Sequence, residues 1–247
     1  MKISIIIATF NAAKTLNRCL DSIVLQLTDE TELILVDGGS KDDTNKIIDS
    51  YGDKVAVHIS EPDKGIYDAW NKGVKASHGK WITFIGADDW MCEGAIDSYF
   101  NFFNNNGEDF DLVFSKLHFV DSCGRNIRNV GEPWNWNRFA HRRLKFAHPG
   151  ALHNRKCFDK IGYFNIQYRI CADSDFLQRL GPNVNSGFND VFIINMSAGG
   201  VSDSKAALYE GYLSRKNNKV LSPMMNLLEY KRMKLAVMLG KIKRKLL

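Results

Sequence analysis

Short continuous apolar runs alternate with helically spaced apolar positions over the first hundred residues. Residues 3–8 form a run that is apolar but for Ser4 and rich in β-branched residues, the pattern of a strand covered on both faces. Leu16, Leu20, Ile23 and Leu27 then recur at helical spacing. A second buried strand is predicted at residues 33–36, ended by Asp37-Gly38-Gly39-Ser40. The polar opening Lys41-Asp42-Asp43-Thr44 leads into a helix through Ile47 and Ile48. Residues 55–59 read as a third strand, Ile66, Ala69, Trp70, Gly73 and Val74 as a helix face, and residues 81–85 as a fourth strand that stops at Gly86-Ala87-Asp88-Asp89. Strand and helix in this rhythm predict an α/β fold with a mostly parallel central sheet flanked by helices.

The rhythm changes after Gly107. Residues 112–120 followed by Asp121-Ser122-Cys123-Gly124 predict a hairpin, or a strand leaving the parallel part. Residues 130–150 are rich in Trp, Asn, Arg and His without a clear period, which reads as a loop near a site. Residues 174–180 predict a short helix. The expected division is a domain over 1–215, with a donor-binding half at 1–107 and an acceptor half at 108–215, followed by a helical tail at 216–247.

In the tail, Met224, Leu228, Leu235, Leu239, Ile242 and Leu246 fall on one narrow stripe of a helical wheel. Lys234, Lys241, Arg244 and Lys245 lie away from that stripe, and Lys231, Arg232 and Lys243 flank it. Such a helix suits an anionic membrane interface, its apolar face buried and its cations at the headgroups. Packing on the protein's own core is the plainer alternative.

Charge changes the picture only in where it sits. The formal net charge is +5, yet residues 224–247 hold seven Lys/Arg against the single acid Glu229. The body is close to neutral, which excludes a uniformly basic nucleic-acid binder. The five cysteines are widely spaced with no CxxC pair, against both a disulfide framework and a zinc site. No run approaches the ~18 apolar residues of a membrane span, and the apolar start is too short for a signal segment. These features together predict a cytoplasmic protein, peripheral on the inner face of a membrane.

Three polar clusters follow three predicted strands: Thr9-Phe10-Asn11, Asp37-Gly38-Gly39-Ser40 and Asp88-Asp89. In an open parallel sheet ligands bind beyond the carboxyl ends of the strands. A single carboxylate there can be a helix cap; three clusters on one rim point to a site. Neither GxGxxG nor GxxxxGK[ST] is present, so phosphates must be held otherwise, and a metal on carboxylates is the natural means.

Three segments carry a resemblance. They are residues 3–23 with Ala8-Thr9-Phe10-Asn11, residues 32–44 with Val36-Asp37-Gly38-Gly39-Ser40, and Glu61-Pro62-Asp63-Lys64-Gly65-Ile66-Tyr67-Asp68-Ala69-Trp70-Asn71-Lys72-Gly73. Together they resemble the family 2 glycosyltransferases of the GT-A (Rossmann-like) fold, in the version common in bacterial exopolysaccharide and lipopolysaccharide assembly. The resemblance runs from residue 2 to about 180 and leaves the tail outside.

It implies an inverting transfer of sugar from a nucleotide-sugar donor, with UDP the expected nucleotide, to a saccharide or a polyprenyl-diphosphate-linked acceptor. Asp37 would accept a hydrogen bond from the base, with Thr9 and Asn11 lining the same pocket. Asp63 would lie close to the nucleotide, Lys64 near its phosphates, and Asp68 and Asn71 toward the donor. Asp88 would contact Mn²⁺ or Mg²⁺, with Asp89 beside the donor sugar. Gly86 stands where the family's DxD motif begins with an acid, leaving one carboxylate fewer. Asp173, in Cys171-Ala172-Asp173-Ser174-Asp175, aligns with the catalytic base, and Asp175 competes for the role or caps the helix. His148 would contact the diphosphate or acceptor, or serve only the core. Arg142, Arg143 and Lys145 could meet the acceptor's phosphate, the membrane or only solvent. A nucleotidyltransferase or a binding protein without glycosyl transfer is the rival reading, weakened by the missing Gly-rich loop after the first strand.

Overall fold

A computed structural model describes residues 2–200 and 204–245, with side chains placed through residue 239. Among the described residues nine strands form one sheet: β1 (Ile3–Thr9), β2 (Thr31–Asp37), β3 (Val57–Ser60), β4 (Trp81–Gly86), β5 (Trp90–Met91), β6 (Leu112–Val120), β7 (Asn126–Val130), β8 (Leu152–Asn154) and β9 (Ser186–Ser197). Their order is β3-β2-β1-β4-β8-β6-β9-β5, with β7 paired to β6. The helices are α1 (Leu16–Val24), α2 (Thr44–Ser50), α3 (Ile66–Ala76), α4 (Ala95–Asn106), α5 (Trp136–Ala140), α6 (Arg155–Ile161), α7 (Ala172–Leu180), α8 (Lys205–Asn217) and α9 (Pro223–Lys245).

The apolar runs are explained by burial on both faces. Along β1, Ile3, Ile5 and Ile7 enter one core cluster and Ile6 the other; along β2, Leu33 and Leu35 part from Ile34 and Val36 in the same way. Successive side chains of a strand point to opposite faces, so a strand covered twice has no polar alternation. A methyl group at Gly73 would stand 2.5 Å from Ile6 Cγ2, so glycine there lets α3 lie directly on β1. Strands β1, β2 and β4 run parallel in register, Ile5 opposite Leu33 and Thr83, and all three end on one rim.

Beyond β4 the sheet is mixed. The three-residue β8 pairs antiparallel with both β4 and β6, and β9 runs parallel to β6. The predicted hairpin is β6–β7, closed by hydrogen bonds of Arg125 and Cys123 backbone N–H to Asp121 Oδ1. The irregular stretch at 130–150 contains the single short helix α5, whose N-cap Asn135 accepts from Arg138 N. Helix α7 begins two residues earlier than the pattern suggests, so Asp173 lies in its first turn.

The tail is helical and its orientation is informative. Its inward face combines polar anchors with Tyr230, packed on Tyr212, and Met233: Asn226 accepts from Arg215 Nε at 2.9 Å, and Glu229 accepts from His141 Nδ1 at 3.0 Å and Arg143 Nη2 at 3.4 Å. Asn226 and Glu229 are buried, whereas Met224, Leu228, Leu235, Met238 and Leu239 are all more than half exposed. The apolar stripe therefore faces away from the body to which the helix is docked. The side chains of Ile242 and Leu246, predicted on that stripe, lie outside the described residues. Among the described residues no helix is long and apolar enough to cross a membrane.

Candidate active site

The rim formed by the ends of β1, β2 and β4 opens into a cleft of about 590 Å³. Its walls include Thr9, Phe10, Asn11, Gly38, Asp63 and Asp88. The three polar clusters of the sequence thus meet in one place.

Asp37 organises the wall from behind. It is fully buried and accepts from Thr9 Oγ1, from the backbone N–H and hydroxyl of Ser40, and from Gly39 N, Asn45 Nδ2 and Ser60 Oγ. Burial alone would raise its pKa, but the bonds from Ser40, Asn45 and Ser60 prevail and hold it down at about 2. Every lone pair of this carboxylate is engaged within the protein. Asn11 ties the same loop: its N–H donates to Ser40 Oγ at 2.8 Å and its Oδ1 accepts from Lys41 N at 2.9 Å. It takes the left-handed φ of 49°, a conformation asparagine tolerates better than most residues.

The segment after β3 brings Asp63 into the cleft. Gly65, with φ 118°, allows the turn in which Asp63 Oδ1 accepts from Gly65 N at 2.8 Å. Lys64 is exposed, and its N–H donates to Asp68 Oδ2 at 3.0 Å. Asn71, expected toward the donor, is buried. Its amide bridges the backbone of Phe164, donating to O at 2.9 Å and accepting from N at 3.0 Å.

After β4, Asp88 and Asp89 crowd over Gly86. A methyl group at residue 86 would stand 2.9 Å from Asp88 Oδ1 and 3.0 Å from Asp89 Oδ2. The missing first acid of the motif is thus replaced by space that two carboxylates share. Burial, then the charge of Asp88, raises Asp89 to about 7. Its Oδ1 accepts from Ser197 N at 2.8 Å, tying β9 to the site. Arg18 stacks on Trp90 and donates to Asp88 O at 3.0 Å. Among the described residues no three acidic, His or Cys side chains could hold a metal together. Two carboxylates converging on one point, one raised by the other, still fit a hard cation completed by oxygens of a bound phosphate.

Asp173 is linked to the cleft through Tyr67, the neighbour of the lining residue Ile66. The Tyr67 hydroxyl is shared between Ile170 O at 2.8 Å and Asp173 Oδ1 at 3.2 Å. Burial raises the Asp173 pKa against the pull of Ser174 N, Tyr67 and Arg142. Asp175 is committed elsewhere, to Arg179 Nε and Asn218 Nδ2, both at 2.8 Å. His148 is buried, stacked on Trp70 with ring centroids 5.6 Å apart, and lowered to about 4 by burial; its Nε2 has no partner. It is a neutral imidazole inside an aromatic core. Phe10, 64 % exposed in the cleft wall, escaped the sequence reading although it stands between two site residues. Arg18 and Ser197 escaped it too, because only the folded sheet brings them to Asp88.

Comparison with known proteins agrees with this arrangement. A glycosyltransferase of PGL/p-HBAD biosynthesis from Mycobacterium tuberculosis is 37 % identical over 184 residues, covering 73 % of this chain and 70 % of the relative. An uncharacterized glycosyltransferase of Rickettsia prowazekii is 27 % identical over 183 residues, 70 % of this chain and 56 % of that one. In fold, the chain matches S. aureus TarS 1–349 in complex with UDP-GlcNAc at a TM-score of 0.72 and 19 % identity, over 89 % of this chain and 66 % of TarS 1–349. It matches the mannosyltransferase PcManGT of Pyrobaculum calidifontis, solved with GDP-Man and Mn²⁺, at 0.64 and 15 % identity, over 96 % and 70 %. The expected GT-A fold is thereby established. Residues 4–165 match the model of glycosyl transferase family 2, and the chain belongs to that family.

Proposed function

We propose that this glycosyltransferase moves a sugar, with inversion, from a UDP-sugar to a hydroxyl of a saccharide or lipid-linked acceptor in cell-surface glycan assembly. The observation that carries the reading is the link from the cleft to Asp173. A carboxylate of raised pKa sits one hydrogen bond from Tyr67, beside the segment that lines the cleft with Asp63 and Asp88.

The base would lie against Phe10, with Thr9 and Asn11 shaping the pocket and Asp37 holding its frame. Lys64 and Asp68 would stand at the phosphate side, and Asn71 and His148 support the wall from within. Asp88, with Asp89 beside it, would hold Mn²⁺ or Mg²⁺, which when bound offsets the charge gathering on the leaving diphosphate. The acceptor hydroxyl gives its proton to the Asp173 carboxylate as its oxygen attacks the anomeric carbon. The bond from that carbon to the diphosphate oxygen breaks, and the nucleoside diphosphate leaves from the opposite face. One base and no protein nucleophile give inversion in a single displacement.

The outward apolar stripe of α9 supports peripheral contact with an anionic inner membrane, where a polyprenyl-diphosphate acceptor would be met. A cytoplasmic placement follows from the same reading, since nucleotide-sugars are supplied there.

The test is binding and turnover across a nucleotide-sugar panel, with and without Mn²⁺, for the native chain and Asp88→Ala. Metal-dependent turnover of a UDP-sugar, lost in the variant, is the expected outcome. Binding of no nucleotide-sugar under either condition would overturn the proposal.

A further inference from the structure

Two arginines, Arg142 and Arg215, stand close together beside Ser174. Arg215, in α8, is only 2 % exposed, and its one side-chain hydrogen bond runs from Nε to Asn226 Oδ1 at 2.9 Å. Arg142, after α5, reaches the same point from the other side. A methyl group at Gly211 would collide with Arg142 Nη1 and stand 3.7 Å from Arg215 Nη1. Both guanidiniums line a cavity of about 160 Å³ with Ser174, Gln178, Gly211 and Met233.

The acids around them hold neither in an ion pair: Asp173 feels the charge of Arg142 without pairing with it, and Glu229, whose charge acts on Arg215, already pairs with His141, Arg143 and Arg232. The Cys171 thiol near Arg142 is pushed up to about 12 by burial and stays uncharged. Among the described residues neither Arg142 nor Arg215 forms an ion pair with a carboxylate. Burial and the charge of Arg142 lower Arg215 to about 10, as expected of a buried cation with a second, partly exposed one beside it. A buried cation without a partner is costly unless an anion joins it. Arg142 also carries a left-handed φ of 51°, a backbone cost at a residue whose side chain the fold nonetheless directs inward.

We propose that Arg142 and Arg215 form a binding site for a phosphate or diphosphate group of the acceptor. Two planar guanidinium forks suit a multiply charged oxyanion better than a single carboxylate. The position gives the site its meaning, and here the inference rests on the reading of Asp173 as the base. The cavity wall includes Ser174, the chain neighbour of Asp173, and Met233 of α9. An anion held there lies near the segment that carries the base and against the helix with the outward apolar stripe. That is the place for the charged head of a lipid-linked acceptor.

The test uses the full chain in EDTA, carrying Asp88→Ala so that the donor cleft cannot capture diphosphate through a metal. Inorganic pyrophosphate and farnesyl diphosphate are titrated calorimetrically, with and without Arg142→Gly. Glycine adopts φ 51° freely, so this variant removes the guanidinium while relieving the backbone, and an undiminished melting temperature checks its fold. Binding weakened about tenfold to a hundredfold by Arg142→Gly is expected, the loss of a charge-assisted contact. Tighter farnesyl diphosphate than pyrophosphate identifies a lipid-carried group; equal affinities identify the phosphate groups alone as what the site reads. Absence of binding for both ligands, or equal binding with and without Arg142, overturns the proposal. Mn²⁺-dependent nucleotide-sugar binding, measured with Asp88 intact, reports on the donor reading separately.

Discussion

The carboxylate of Asp63 occupies the space that a side chain at Gly38 would fill. A methyl group at residue 38 would collide with Asp63 Oδ2 and stand 2.9 Å from its Cγ. The two loops therefore close the cleft only because residue 38 has no side chain. Asp63 Oδ1 is held by Gly65 N, while Oδ2 has no hydrogen bond among the described residues and borders the cleft. Asp37, by contrast, already accepts hydrogen bonds within the protein at both oxygens.

Gly38→Ala is expected to displace Asp63 and weaken UDP binding by about tenfold, the scale of one lost hydrogen bond to a charged group. The fold should survive, since the bonds to Asp37 come from other residues. Asp63→Ala should match that loss, whereas Asp37→Ala should lower the melting temperature first. Calorimetric titration with UDP decides: native affinity in Gly38→Ala would remove Asp63 from the site.

Asp173→Asn should reduce sugar transfer about 10²- to 10⁴-fold while leaving the UDP dissociation constant unchanged. The direction of its pKa shift sets the pH profile. A base must be ionised, and burial makes Asp173 harder to ionise, so activity should fall as pH drops through its raised pKa and level off above it. Arg142→Gly removes a cation that favours ionisation and should move the acid limb to higher pH. A profile indifferent to both changes would exclude Asp173 as the base.

Glu32 offers a stability test remote from the site. It is buried and accepts from Ser4 Oγ, His78 N and Gly79 N at 2.6, 2.5 and 3.0 Å, joining β1, β2 and the α3–β4 turn. Burial would raise its pKa, but the bonds from Ser4, His78, Lys2 and Gly79 lower it from 4.5 to about 2. A depressed folded pKa means stability that is present above the unfolded value and lost as pH falls toward the folded one. Glu32→Gln should therefore cost up to roughly 3 kcal/mol at pH 7 and almost nothing near pH 2. Urea denaturation across that range measures it; a pH-independent difference would mean that the carboxylate's charge is not what stabilises the junction.

The parts legible in the sequence were those written locally. Doubly buried strands need continuous apolar runs, so β1, β2 and β4 stood out, and their polar ends named the rim. The strands β8 and β9 did not, because three residues carry no period and the apolar pattern of the twelve-residue β9 is broken by Asn189, Asp190 and Asn195. The aligned acids were legible, but their division of labour was not. That Asp37 is bonded by Ser60 as well as by nearby Ser40 and Asn45, or that Asp89 borrows Ser197 from β9, depends on contacts that reach from 23 to 108 positions along the chain. Arg142 was legible as a candidate for the acceptor's phosphate, but Arg215 was not: the two come together only where α8 and the segment after α5 line one cavity.

The stripe of α9 was legible as a pattern but not in its direction, and the direction makes a prediction. A helix packing on its own body turns its apolar face inward; this one docks through Asn226 and Glu229 and leaves Leu235 and Leu239 at 52 % and 54 % exposure. Leu235→Glu with Leu239→Glu should therefore leave the melting temperature unchanged, since neither side chain supports the fold. The same pair should weaken cosedimentation with phosphatidylglycerol-containing vesicles at least about tenfold, because burying each leucine in the interface contributes on the order of 1 kcal/mol and the new charges repel the lipid. Raising salt should weaken the native chain's binding in part only, as the flanking Lys231 is screened while the apolar contact is not. A melting temperature that drops with the double substitution would mean that the stripe packs on protein, and vesicle binding that survives it would move membrane contact elsewhere.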